Sequence, residues 1–142
     1  EERIKNRRKA IRLITDGGRE GFIKTLVPNL YGDSTKEAQP DLLIKHLEMA
    51  MPIEAAALIH YYEAMIQRAD HQNLLQQGGL PIQFIIGMED QLLPYTSLIR
   101  QCLLPEICEL TIVPRCGHSS MMEYPAHCAE RLKGFANYVY KR

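Results

Sequence analysis

Apolar positions along the first 78 residues recur at three- and four-residue steps, whereas beyond Gly78-Gly79 they gather into short unbroken runs. The first pattern fits amphipathic helices and the second fits strands buried on both faces. Residues 3–16, with Ile4, Ile11, Leu13 and Ile14, read as a helix stopped by Gly17-Gly18. A second helical segment, about Glu20 to Thr25, ends before Pro28. Ser34-Thr35-Lys36-Glu37 has the spacing of a capping box, in which a hydroxyl and a carboxylate satisfy the orphan N–H groups of a helix start. Pro40 suits the first turn of a helix reaching about Ala50, and Pro52 opens the longest helix in the same way. In that helix Ala55, Leu58, Ile59, Tyr62, Met65 and Ile66 form one apolar stripe. Gly78-Gly79 closes the helical half.

Pro81-Ile82-Gln83-Phe84-Ile85-Ile86-Gly87 then reads as a buried parallel strand, and Tyr95 to Leu103 as a helix. Leu110-Thr111-Ile112-Val113-Pro114 is a second buried strand, β-branched at its centre. Pro125 starts a final helix whose Cys128, Leu132, Phe135 and Val139 share a face. Strand, helix, strand, helix demands a right-handed parallel crossover, so the fold class is α/β. Two regions are expected: a helical region over 1–78 and a βαβα region over 79–142. There is no internal repeat and no low-complexity segment.

In parallel α/β sheets, reactive groups gather just beyond the carboxyl ends of the strands. The first strand runs out through Gly87-Met88-Glu89-Asp90 and the second through Pro114-Arg115-Cys116-Gly117-His118. Adjacent parallel strands bring the two loops within a side chain's reach. A carboxylate there keeps one imidazole nitrogen protonated and leaves the other to accept a nucleophile's proton. Taken singly, an Asp after a strand serves as a turn or helix cap more often than as a catalyst. A His before Ser119 can equally cap a helix. Their order and joint placement favour the acid–base reading. Glu89 competes with Asp90 as the acid. His46, His60, His71 and His127 lie in helical segments and lack this setting.

Leu80 to Asp90, with Pro94 shortly after, resembles the seventh strand and acid loop of the α/β-hydrolase superfamily. Val113 to His118, followed by Glu123-Tyr124-Pro125, resembles that family's last strand and histidine loop. The stretch from Tyr62 to Asp70 is similar to the end of its mobile cap. The resemblance is strong over 80–126 and looser over the helices. It implies the C-terminal part of an α/β-hydrolase fold, a cap-like helical region followed by two parallel strands with a crossover and a terminal helix. It further implies that Asp90, rather than Glu89, is the acid of a catalytic triad and His118 its base. Together they would activate a serine, less often an Asp or Cys, to cleave an ester, amide or thioester-like bond.

The departure is equally specific. The family's nucleophile sits in G-x-S-x-G, upstream of acid and histidine. No such motif occurs among these residues, and Ser34, Ser97, Ser119 and Ser120 lack its glycine setting. The loop that supplies the oxyanion hole is also absent. The chain alone is therefore expected to be inactive. Its first residue is Glu1 rather than Met, which suggests that it begins partway through something larger. The first strand should offer an open edge, to the protein's own N-terminal half or to a second copy. Two other readings stand beside the enzyme: a non-catalytic binding or oligomerisation module, and a carrier or receptor of the same ancestry.

Composition narrows the partners. Lys plus Arg equals Asp plus Glu at 17 each, which argues against nucleic acid. The cluster Arg3, Lys5, Arg7, Arg8, Lys9 and Arg12 reads as a solvated helix face. No apolar run reaches membrane-span length, and no secretory signal opens the chain. Cys102, Cys108, Cys116 and Cys128 show neither C-x-x-C nor zinc-finger spacing, which suits free thiols in a cytoplasmic setting. No metal or cofactor is implied. Phe22, Leu26, Leu30, Tyr31, Met49, Met51, Tyr61 and Met65 are candidates for an apolar substrate pocket, with plain core packing the simpler role.

Overall fold

The computed structural model describes residues 1–141. Two units emerge: one comprises Glu1–Pro28 with Asp41–Asp70, the other Asn29–Pro40 with the chain from His71 onward. In the first, helix α1 (Glu2–Leu13) does not stop at the glycine pair. It passes through a π-turn over Ile14–Gly18 and continues as α2 (Arg19–Leu26). Gly17 takes φ +89° there, a left-handed value that glycine adopts without the Cβ penalty, so the pair bends the helical path instead of ending it. Arg19 fastens the bend by donating to the Met51 and Ile53 carbonyls.

Helix α4 (Pro40–Ala50) starts at its proline as expected. Pro52 does not: it lies in a turn, and α5 (Ala55–Gln67) begins after Glu54. Nor is α5 the longest helix, since α9 (Pro125–Tyr140) has 16 residues against its 13. Its stripe is nevertheless correctly phased, with Leu58 buried and Ala55, Ile59, Tyr62, Met65 and Ile66 half-buried. The Phe22 and Tyr62 rings meet edge to face at 5.4 Å, and Arg7 Nη1 donates to the Met65 carbonyl at 3.0 Å. Ile14, Ile23, Val27, Ala50 and Leu58 are the buried apolar residues of this unit.

The second unit contains α3 (Asp33–Ala38), α6 (Gln72–Gln77), β1 (Ile82–Gly87), α7 (Tyr95–Cys102), β2 (Cys108–Val113), α8 (Ser120–Glu123) and α9. Strands β1 and β2 pair in parallel, with Ile82 opposite Cys108 and Gly87 opposite Val113. Both strands therefore end at the same level. Among the described residues β1 has one strand neighbour, β2, so its other edge is unpaired. Side chains alternate across a strand, which puts Phe84 and Ile86 on one face with Leu110 and Ile112. Ile86 is buried, whereas Leu110 and Ile112 each remain 39% exposed. In α9, Cys128 is buried and Phe135 and Val139 are half-buried, but Leu132 is 55% exposed and Arg131 is the more buried of the two. Gln83 explains part of this difference: its amide donates to the Arg131 carbonyl and to Glu109, drawing that side of the helix to the sheet. No helix among the described residues is long and apolar enough to cross a membrane.

Candidate functional site

The carboxyl ends of β1 and β2 bring Asp90 and His118 together. Asp90 Oδ2 lies 2.8 Å from His118 Nδ1. The acid is held from its other oxygen: Asp90 Oδ1 accepts the Leu92 and Leu93 N–H groups, each at 2.9 Å. The turn-capping role that an isolated Asp suggests thus coexists with the histidine contact, one oxygen for each. The Asp90 side chain is 5% exposed and that of His118 is 39% exposed. A buried carboxylate therefore faces an imidazole whose far side reaches solvent. With Nδ1 donating to Asp90, Nε2 is the nitrogen that can accept a proton.

Close backbone approach sets this geometry. Met88 N donates to the Val113 carbonyl at 3.1 Å and Glu89 N to the Cys116 carbonyl at 2.8 Å, so the acid loop follows the histidine loop past the strand ends. A Cβ on Gly87 would come within 2.1 Å of the Gly117 carbonyl oxygen, and one on Gly117 within 2.3 Å of Gly32 N. Neither contact is a flexible side chain that can swing away. Arg115 takes φ +54°, a left-handed turn for a non-glycine residue, and Tyr124 Oη donates to its carbonyl at 3.2 Å.

Glu89 does not face the histidine. Its Oε1 accepts the Ser34 hydroxyl at 2.8 Å and its Oε2 the Ser34 N–H at 3.0 Å. This removes the capping box as well. Ser34 lies inside α3, whose N-cap is Gly32, and neither Ser34 nor Thr35 caps that helix. Thr35 Oγ1 instead donates to Glu123 Oε2 at 2.6 Å. Long-range carboxylates outcompeted the local one that the four-residue pattern suggested.

Glu123 is the largest element that sequence reasoning missed. Buried in α8, it accepts Gly32 N at 3.0 Å and Gly117 N at 2.9 and 3.1 Å on its two oxygens, besides Thr35. Cys116 Sγ lies 3.6 Å from Oε1. Burial and the Glu123 charge push the Cys116 thiol well above its ordinary range, so it stays protonated and inert as a nucleophile. Tyr31, a pocket candidate in the sequence, is fully buried here, and burial followed by the Glu123 charge raises its phenol. The only sequence signal for Glu123 was its place five residues after His118, just ahead of Pro125. Among the described residues no cluster of three or more His, Cys, Asp or Glu could hold a metal ion.

No protein-family model and no curated protein matches the chain. Solved structures do. A thermophilic esterase from Thermogutta terrifontis superposes with a TM-score of 0.88 at 20% identity, covering 97% of this chain and 51% of its own. An α/β-hydrolase enzyme from a Medee basin deep-sea metagenome library gives 0.79 at 20% identity, covering 95% and 50%. An esterase from Exiguobacterium antarcticum gives 0.74 at 16%, covering 92% and 48%. At such identities the likeness is one of fold, and the chain spans about half the length of the structures it matches.

Proposed function

We propose, for a chain whose fold is that of the C-terminal part of an α/β-hydrolase, that it supplies the acid and the base of a serine-type hydrolase acting on an ester, amide or thioester-like bond. One observation carries the proposal: the 2.8 Å contact between Asp90 Oδ2 and His118 Nδ1, with the other carboxylate oxygen already fixed by two backbone donors. Asp90 orients the imidazole and stabilises its charged form. His118 Nε2 takes the nucleophile's proton as the acyl carbon is attacked, then returns it to the leaving group. The nucleophile comes from outside these 142 residues, which contain no G-x-S-x-G, and the 142-residue chain alone does not turn over substrate. That two of the structural neighbours are esterases supports the ester reading.

The unpaired edge of β1 supports a strand-pairing partner: the protein's own N-terminal half or a second copy. The same edge favours the second reading, a non-catalytic oligomerisation module. Short and long acyl esters should be offered both to this chain and to the longest natural polypeptide that contains it. Turnover by the longer form alone, abolished by His118→Ala, is the expected result. A longer form that carries a G-x-S-x-G serine yet cleaves none of the esters would leave the module reading.

A further inference from the structure

We infer that Glu123 is a positioning residue for His118: its buried carboxylate ties both the histidine loop and the Leu30–Thr35 segment into the arrangement that aims the imidazole at Asp90. Four observations converge on it. Glu123 is buried, and it takes donors that are neutral groups: Gly32 N, Gly117 N, the Thr35 hydroxyl and the Cys116 thiol. Ahead of His118, its contact with Gly117 N fixes the Cys116–Gly117 peptide. The peptide immediately after is fixed as well, because Ser119 N donates to the Leu30 carbonyl at 2.9 Å, two residues before the Gly32 N–H that Glu123 holds. The acid side is tied to the same segment, since Glu89, next to Asp90, holds Ser34.

A buried carboxylate is strongly disfavoured unless hydrogen bonds compensate its lost hydration. A merely space-filling role would be met by an apolar side chain. Each oxygen faces donors, so the carboxylate works as an acceptor. Its amide analogue would turn an NH₂ group towards at least one N–H or hydroxyl donor. Glu123→Gln therefore keeps the volume and breaks the pattern. Thr35→Val removes one donor and leaves the carboxylate in place.

The test is the solvent-exchange lifetime of the His118 Nδ1 proton, followed by NMR in this chain under conditions where wild type and variant are both folded. Glu123→Gln should shorten that lifetime about tenfold or more, while amide exchange in β1 and β2 stays unchanged. Thr35→Val should shorten it by a smaller factor. A folded Glu123→Gln chain with the wild-type lifetime overturns the inference. If that variant does not fold, an unchanged lifetime in folded Thr35→Val does the same. A fall in melting temperature alone, with the ring proton unaffected, would mark Glu123 as structural only. No turnover is measured, so the outcome is separable from the hydrolase reading on which the word "positioning" rests.

Discussion

The two units of this chain are held by different kinds of contact. In the helical unit every buried residue is apolar: Ile14, Ile23, Val27, Ala50 and Leu58. In the strand-bearing unit Ile86 and Val113 share the interior with Thr35, Asp90, Ser119 and Glu123. Apolar packing is non-directional and tolerates volume-conserving exchange. Buried polar networks are directional, and a partly satisfied one is worse than none. The helical unit can thus repack with little consequence for chemistry, whereas the strand-bearing unit fixes two loops closely enough to aim one side chain at another.

The sharpest way to break this contrast is His118→Ala in a polypeptide whose nucleophile completes the site. Activity should fall roughly 10⁴-fold or more, with the melting temperature held within about 3 °C, because the His118 side chain is part-exposed and Asp90 keeps its two backbone donors. Gly87→Ala comes next. Its new Cβ would meet backbone oxygens of Cys116 and Gly117, so a loss of about 3 kcal/mol or more is expected in urea denaturation, with the Asp90–His118 pair disrupted. Ile23→Ala should cost about 3 kcal/mol as well, but leave the His118 resonances in place, since it only opens an apolar cavity. Ile23→Val should cost roughly 1 kcal/mol. A Gly87→Ala chain as stable as Ile23→Val would contradict the convergent-backbone account.

A further test concerns alkaline pH. Burial, together with its neighbour Cys108, raises the Cys102 thiol from 9.0 to about 11. A folded-state value above the unfolded one makes the stabilisation complete below pH 9 and lost as pH rises towards 11. Thermal melts should therefore decline over that window, and Cys102→Ser should flatten the decline.

How much of this was legible depended on whether a local pattern had a long-range competitor. The strands were readable because Ile82–Ile86 and Leu110–Val113 are apolar runs between breakers, and no other contact alters what such runs form. The strand ends alone brought His118 near the Glu89-Asp90 pair, and the choice of residue 90 came from the family resemblance. Ser34-Thr35-Lys36-Glu37 failed because Glu89 and Glu123, 55 and 88 residues away in sequence, claimed its hydroxyls. Gly17-Gly18 failed as a stop because Arg19 secures the bend from Met51 and Ile53. Leu132 is on the expected face of α9 yet exposed, and the Gln83 bond to the Arg131 carbonyl explains part of that difference. The placement of 29–40 beside the strands rests on hydrogen bonds to Glu89, Ser119 and Glu123, and no periodicity encodes those.

The pairing of the Asp90 carboxylate with the His118 ring is tested most directly by ¹⁵N NMR of the histidine side chains, in wild type and in Asp90→Asn. At a pH where His118 is neutral, the wild-type ring should carry its proton on Nδ1, and the variant should shift towards the Nε2–H form. A wild-type ring already protonated on Nε2, or one indifferent to the change at residue 90, would contradict the account.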